Sequence, residues 1–296
     1  MRIDLDGLAV GASMAAVPLW VGDRRRVART TGVRFVADDA FVVTDLAAMR
    51  MARVRVDLSS ETAVVERAVT TTDSGGTQVS TDLLDYDPGR GWLATSDCAV
   101  FGLSLYDAGS LRRLGQVRLP FAAHGLAFVP DSEAICATSF IVGPPHVVAF
   151  FDLGSSRLLF EYGIEPPWIP KGVAFAAPGL SASVWCSRPP IADPAPAPDA
   201  LVLLERVDPV RGTRSERARL ILPGCHTDEC RFDVSRGLLY VNDQAGDVVY
   251  EIEVRADTLS VRQKVVGFDF PHGLDVRDGV LAVTNYGDAS VRLRRL

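Results

Sequence analysis

Residues 271–285 read PHGLDVRDGVLAVTN, and residues 124–139 read HGLAFVPDSEAICATS. Both stretches carry His-Gly-Leu at or near their start, continue with alternating apolar and polar residues, and turn at Asp, Ser or Gly. Both then close on a second apolar run that ends in small polar residues. Alternation with a period of two is typical of β-strands. Each stretch therefore predicts a pair of antiparallel strands joined by a tight turn.

The same frame recurs along the chain. It opens at six positions, with start-to-start spacings of 43 to 57 residues: Thr31, Thr81, His124, Lys171, Asp228 and His272. Each unit continues with a second alternating pair, as at 99–119 and 247–268. Four strands per unit at this period is the sequence pattern of a β-propeller blade. The sequence predicts an all-β fold in which residues 1–296 form one domain, a six-bladed β-propeller of four-stranded blades.

The sixth unit stops after SVRLRRL and so lacks an outer strand. We expect the N-terminal segment around RRVART, within residues 20–30, to supply that strand, because closing the ring removes an exposed sheet edge. A pair of β-sandwiches is the structural alternative, which six matching frames disfavour.

The stretch PHGLDVRDGVLAVTNYGDASV, residues 271–291, resembles the repeats of the YncE, NHL and gluconolactonase-type propellers. The similarity is most specific in the third, fifth and sixth units, and it implies a propeller fold. No Trp-Asp or Tyr-Trp-Thr-Asp signature is present, so the WD40 and YWTD classes of propeller are not favoured. The senescence-marker (gluconolactonase) family carries an early Gly-Glu-Gly-Pro metal-binding stretch that this sequence lacks, and its activity is therefore not carried over.

The bulk composition limits the classes of partner. The chain is 48% hydrophobic and 23% charged, with a formal net charge of −6, which favours a folded core and disfavours a nucleic-acid surface. Asp4 and Asp6 stand where a signal peptide needs positive charge, and the N-terminal apolar stretch is too short to span a membrane. Five cysteines without a secretory signal predict free thiols. We expect a soluble, cytoplasmic protein without nucleic-acid or membrane partners.

Polar residues occupy the same place in every unit. In a propeller the inner strands start, and the second strands end, at one face of the disc beside the axis. All six frame openings are polar, and second strands end in polar residues such as Asn242, Asp243 and Asn285. His226 stands two residues before the fifth frame, on the same side of an extended strand, and His146 falls in the second-to-third-strand loop of the third unit. All four histidines are therefore predicted at one rim.

The polar residues of this rim predict a catalytic or metal-binding site. Imidazoles with a carboxylate are ligands for divalent metal ions, and a histidine beside a carboxylate is a general acid/base pair. The candidate catalytic residues are His124, His226, His272, Lys171, Asp228 and Glu229, of which His124, His226 and His272 are the candidate metal ligands. The candidate substrate-binding residues are Asn242, Asp243, Asn285, Tyr286, Trp168 and His146. The expected cofactor is a divalent metal ion of unknown identity. Because no Walker loop or Gly-x-Gly-x-x-Gly motif is present, no nucleotide cofactor is expected.

The function expected from this site is that of an enzyme with an axial, histidine-rich pocket and a small-molecule substrate. It would act as a metal-assisted or acid/base hydrolase, lyase or cyclase/isomerase. The Pro- and Ala-rich stretch at 187–200 is either a cover over this pocket or a plain surface loop. The alternative is a non-catalytic propeller that binds a protein or peptide partner over its rim, because strand starts near a propeller axis are often polar merely from solvation. The oligomeric state is left open.

Overall fold

The computed structural model describes residues 1–4, 18–21, 24–27, 30–73, 75–97, 101–139, 146–187, 198–286, 288 and 290–296. Within these ranges the strands form six four-stranded antiparallel blades and one separate two-stranded hairpin. The inner strands of successive blades contact each other in a closed ring. The prediction of an all-β, six-bladed propeller is therefore confirmed. No helix in the described part of the chain is long and apolar enough to cross a membrane.

The strands are numbered in chain order. The N-terminal ones are β1 (Arg2–Asp4), which joins blade six, and the hairpin of β2 (Pro18–Val21) and β3 (Arg24–Val27). Listed from the axis outward, blade one holds β4 (Thr30–Ala37), β5 (Ala40–Asp45), β6 (Arg50–Asp57) and β7 (Thr62–Thr70). Blade two holds β8 (Thr81–Asp87), β9 (Trp92–Asp97), β10 (Gly102–Asp107) and β11 (Arg113–Arg118). Blade three holds β12 (Ala123–Phe128), β13 (Ala134–Ser139), β14 (Val147–Asp152) and β15 (Leu158–Gly163).

The second half of the ring repeats this order. Blade four holds β16 (Ile169–Ala177), β17 (Leu180–Cys186), β18 (Ala200–Asp208) and β19 (Thr213–Leu222). Blade five holds β20 (Cys230–Asp233), β21 (Leu238–Asp243), β22 (Val248–Arg255) and β23 (Thr258–Val266). Blade six holds β24 (Pro271–Arg277), β25 (Val280–Asn285), β26 (Ser290–Arg295) and β1. We call the face at which the inner strands start the upper face, and the opposite one the lower face.

An N-terminal strand closes the ring, as expected, but it lies earlier in the chain than residues 20–30. Strand β1 pairs antiparallel with β26, with Ile3 opposite Val291, whereas residues 24–27 pair with residues 18–21. The physical reason is the alternation of side chains. Ile3, between Arg2 and Asp4, puts one apolar side chain into the core between blades six and one, whereas three consecutive arginines at 24–26 offer no alternating apolar face.

Apolar layers between neighbouring blades form the core. Blades two and three share one such layer, which contains Leu103 and Phe151, and blades four and five share another, which contains Val202 and Leu239. The side chains come from alternating positions of all four strands of a blade, so the pattern that predicts the strands also supplies their packing. Each fully buried residue of this size stabilises the fold by about 1.5–3 kcal/mol.

The inner strands approach each other very closely at the upper face. A Cβ added to Gly125 would lie 2.1 Å from the carbonyl oxygen of Lys171, and one added to Gly273 would lie 2.1 Å from that of Thr31. The glycine of the frame is therefore required by contact with the next blade. At the same place the register of each of these inner strands shifts by a bulge, and such a bulge re-aims a side chain.

A hydroxyl group from the second strand joins neighbouring blades at this bulge. Thr138 accepts a hydrogen bond from the Gly125 amide (2.8 Å) and donates one to the Lys171 carbonyl of the next blade (2.6 Å). Thr284 does the same with Gly273 (2.7 Å) and Thr31 (2.6 Å). The Thr of the VTN and ATS ends thus has a structural role, because it satisfies buried backbone groups that the bulge leaves unpaired.

Candidate functional site

In five blades one residue stands at the bulge of the inner strand, and in blade five the equivalent residue stands two positions before Cys230, where the pairing begins. These six equivalent residues form what we call the upper ring. They are Thr31, Asp82, His124, Lys171, Asp228 and His272. In blade two the sequence frame starts at Thr81. In the structure Leu84 pairs with Thr95, as Val33 pairs with Val43 in blade one. The residue two positions before Leu84, Asp82, is therefore the equivalent of Thr31. The frame was ambiguous there because Leu83 replaces the glycine that follows the ring position in blades one, three, four and six.

Two aspartates connect the basic side chains of the upper ring. His124 Nδ1 lies 3.0 Å from Asp82 Oδ2, and His124 Nε2 lies 3.1 Å from Asp228 Oδ1. Lys171 Nζ donates to the same Asp228 oxygen at 2.5 Å. His272 Nε2 stands 3.7 Å from one oxygen of each aspartate. The ring thus pairs its charges internally, across blades that are distant in sequence.

The pKa values follow from burial and from these pairs. Burial and the Lys171 ammonium oppose protonation of His124, but hydrogen bonds with Asp228 and Asp82 outweigh them and raise its pKa. Burial favours the neutral form of Asp228, yet Lys171 and His272 hold the pKa of that carboxyl well below its usual range. Burial lowers the pKa of His272, although both aspartates oppose this shift. The two carboxylates therefore face Lys171 and two imidazoles, and each charged group of the ring has a partner within the ring.

The upper ring is enclosed. His124 is 2% exposed and Lys171 0% exposed, and the other members are buried to a similar degree. The Tyr286 ring stacks on His272 with centroids 4.4 Å apart. The side chains predicted to line an axial pocket therefore fill the axis themselves.

His226 lies beside the upper ring, in the segment that precedes β20 of blade five. Its Nδ1 stands 2.6 Å from Gln244 Oε1 and 3.9 Å from Asp228 Oδ2. Burial, with help from the Lys171 ammonium, lowers the pKa of His226 to about 4 against the attraction of Asp228. The side chain is therefore neutral at physiological pH.

Three candidate substrate-binding residues use their polar groups within the fold. Asn242 accepts from the amides of Asp228 (3.0 Å) and Glu229 (2.9 Å) and donates to the Pro271 carbonyl (2.9 Å). Asn285 accepts from the Asp269 amide, and Asp243 accepts from the amides of His226, Ala245 and Gly246. Asn242 thus joins blades five and six by hydrogen bonds to their backbones, as Thr138 and Thr284 join their own pairs of neighbouring blades.

Two candidates lie away from the axis. His146 directly precedes β14, two strands outward from β12 in blade three, a separation of roughly 10 Å from strand spacing alone. Trp168 packs against the core of blades three and four and lines a groove with Trp185 and Arg214. The structure therefore does not bring these two residues to the histidines of the upper ring.

The Pro- and Ala-rich stretch cannot be placed in this way, because residues 188–197 and Cys98 lie outside the described residues. The other cysteines, Cys136, Cys186, Cys225 and Cys230, are free and buried. Among the described residues, no group of three or more His, Cys, Asp or Glu is arranged to hold a metal ion. The Lys171 ammonium already supplies positive charge beside Asp228, and His124 occupies the other side of the same oxygen. The divalent metal ion expected from the sequence stays a prediction that this geometry does not support.

Glu229 points away from the candidate site, into a second set of charged side chains. This lower ring stands three residues beyond the upper one in each blade: Arg34, Asp85, Ala127, Ala174, Arg231 and Asp275. Glu229 is hydrogen-bonded to Arg34, and its carboxylate lies 2.9 Å from Arg231. Burial raises the pKa of Glu229 to about 8 in spite of Arg34. This ring is not among the residues predicted from the sequence, although charged residues stand three positions after the ring position in four of the six units.

The lower ring is incomplete on one side. Ala127 and Ala174 are too short to reach the axis, and beside them lies a cavity of about 620 Å³ that opens at the lower face. We call this cavity the lower mouth. Its floor includes Asp85 and Arg231. Four aromatic residues form its wall, Tyr86, Phe128, Phe175 and Phe232. Charged residues form its rim, Asp87, Arg90, Asp131 and Glu133. The described residues therefore offer a ligand an aromatic and acidic opening at the end opposite to the predicted site.

No family model and no curated protein matches the sequence. The fold is similar to that of U3-55K (TM-score 0.62, 11% identity, covering 97% of this chain and 100% of that chain). It is also similar to the WD40 repeats of RRP9, with a TM-score of 0.60 and 12% identity over 96% of this chain and 99% of that chain. Hydrazine synthase from Kuenenia stuttgartiensis gives a TM-score of 0.62 and 11% identity over 97% of this chain and 99% of that chain. At these identities the likeness shows the fold alone. The chain shares it with WD40 propellers without their Trp-Asp signature.

Two expectations from the sequence are therefore wrong. The first is the enzyme with an axial pocket, because the residues predicted to line that pocket are paired with each other and buried. The similar solved structures are mostly propellers of the WD40 type, which favours the alternative function over an enzyme with a small-molecule substrate. The same finding speaks against the expected small-molecule partner.

Proposed function

We propose that this protein is a non-catalytic six-bladed propeller that binds a protein or peptide partner over its rim, at the lower mouth. The observation that carries the proposal is the contrast between the two ends of the axis. At the upper end the charged groups are buried and bonded to each other. At the lower end, carboxylates and aromatic rings line an open cavity of about 620 Å³.

The size and lining of the lower mouth support this proposal. Its volume falls in the range of about 300–1,000 Å³ that is common for ligand sites. Half-buried aromatic side chains such as Phe175 and Phe232 stand beside charged rim residues, and aromatic residues are enriched at protein interfaces. A closer relationship to the YncE, NHL and gluconolactonase-type propellers stays a prediction from the repeat sequence, as does a cytoplasmic location.

Site-specific cross-linking in the native cells tests the proposal. A photo-reactive phenylalanine analogue replaces Ser132, which lines the lower mouth, or Ser60, an exposed serine at the outer edge of blade one. We expect a discrete cross-linked product from position 132 and none from position 60, with the partner identified by mass spectrometry. If position 132 yields no discrete product, or the same products as position 60, the proposal is overturned.

A further inference from the structure

We infer that the lower mouth takes an extended, basic segment of the partner and holds an Arg or Lys side chain of it between the rim carboxylates and the aromatic wall. This inference rests on the proposed function and adds the chemistry of the ligand.

The charge of the lining favours a cation. Its ionisable groups are four carboxylates (Asp85, Asp87, Asp131 and Glu133) and two guanidinium groups (Arg90 and Arg231), which gives a net charge of −2. Both arginines are already neutralised by ion pairs. Arg90 pairs with Asp87 and with Glu133 (2.5 Å), and Arg231 pairs with Glu229 and Asp85. The surplus of negative charge therefore lies at the rim, where Asp131 has no ion-pair partner among the described residues.

An anionic ligand fits the same lining poorly. Arg231 donates to the carbonyls of Val173 (3.0 Å) and Cys230 (3.2 Å) in addition to its two carboxylates. An incoming carboxylate would compete with these buried partners and would also meet the acidic rim. Replacement of one buried ion pair by another gives little net free energy.

The walls suit a long basic side chain. Phe175 and Phe232 are half-buried at the opening, and Ala127 and Ala174 form a small-residue floor. The methylene stem of Lys or Arg packs on apolar walls while its charged end stays polar, and a cation over an aromatic face gains a further attraction.

The test measures the binding of two fluorescently labelled nonapeptides by anisotropy at low and at physiological salt. One peptide carries three arginines among Gly and Ser, and the other carries citrulline, a neutral analogue of similar shape, at the same positions. Binding is compared for the wild type and for the double variant Asp131→Asn/Glu133→Gln. The matched control is Asp38→Asn/Asp39→Asn, which removes the same charge from the equivalent turn of blade one.

We expect the arginine peptide to bind the wild type and the control equally, and to bind the Asp131→Asn/Glu133→Gln protein about tenfold more weakly. The citrulline peptide should bind none of them. Equal loss in both double variants, or equal binding of the two peptides, overturns the inference. If position 132 still cross-links a discrete partner in that case, the proposed function stands and only the basic ligand is wrong. If it does not, both fail.

Discussion

The upper and the lower ring come from positions of the same repeat that are three residues apart. The upper ring fills the propeller axis, whereas the lower ring leaves a cavity beside it. The upper ring has a long polar side chain in five of its six positions, and these chains meet across the axis. The lower ring has alanine in two adjacent blades, and the missing side chains leave a cavity at the mouth. The difference lies in side-chain length and not in the backbone.

This comparison shows why polar residues at a propeller axis do not by themselves indicate a ligand site. Buried charges are tolerated where each has a partner, and in the upper ring every aspartate has at least one basic partner. We infer that the upper ring fixes the relative positions of the inner strands. The lower ring supplies the accessible surface.

The largest effect should come from removal of the upper-ring ammonium. Lys171→Met leaves the buried Asp228 carboxylate without its 2.5 Å partner. We expect a loss of about 3–5 kcal/mol in the free energy of unfolding, because the buried carboxylate loses its ammonium partner and keeps only the imidazoles beside it. Denaturant unfolding monitored by circular dichroism measures it.

The double variant Lys171→Met/Asp228→Asn is the control for this prediction. It removes both charges of the pair, and it should recover part of the loss in a double-mutant cycle. A loss below about 1 kcal/mol in the single variant would show that the upper ring does not hold the strands together.

A second large effect concerns the glycine of the frame. Gly125→Ala would place a Cβ 2.1 Å from the Lys171 carbonyl oxygen, so two inner strands must separate. We expect a loss of about 1–3 kcal/mol, as for other overpacked sites. Gly115→Ala, where nothing lies within 4 Å of the added Cβ, is the control and should change the stability by less than about 0.5 kcal/mol. Equal stabilities of the two variants would contradict the close approach.

The pH dependence of stability gives an intermediate effect with a defined sign. The pKa of His226 is about 4 in the folded chain and 6.5 ordinarily, so on acidification the unfolded chain binds the proton first. Stability is therefore lost as the pH falls from 6.5 to 4. Relative to His226→Gln, the wild type should lose about 1.4 kcal/mol per pH unit across this window. Urea titrations at several pH values measure the slope.

Asp97 should show the opposite sign. Burial raises its pKa from 3.8 to about 6, so the folded chain binds the proton first and gains stability as the pH falls from 6 to 4. The Asp97→Asn variant removes this gain and should therefore lose more stability than the wild type on acidification. Parallel pH profiles for the wild type and both variants would refute the burial of these groups.

The smallest effect is expected at the lower mouth. Asp131→Asn/Glu133→Gln changes only exposed rim residues, and we expect its unfolding free energy to stay within about 0.5 kcal/mol of the wild type. Thermal unfolding measures it, with Asp38→Asn/Asp39→Asn as the control. A loss comparable to that of Lys171→Met would mean that the lower rim is also structural, and the contrast between the two ends would disappear.

Local patterns in the sequence were enough to predict the blades. Period-two alternation and the Gly and Asp turns recur along the chain, several units add a Thr near the end of the second strand, and each is a property of a few neighbouring residues. They predict six inner strands and place His124, Lys171, Asp228 and His272 at one face, as the structure shows. The missed residue, Asp82, lies where the frame lacks its glycine.

Which end of the axis is open was decided only by the tertiary structure. Ala127 and Ala174 come from different blades, and the Asp85 and Arg231 that border them come from two more. Whether a charged side chain near the axis is buried or exposed depends on the sizes of side chains that the chain separates by 43 to 57 residues or more. The sequence by itself determined the repeat and its polar edge, because hydrogen bonding and alternation are local. How the axis is filled depends on the packing of side chains from six blades, and these side chains come together only in the folded protein.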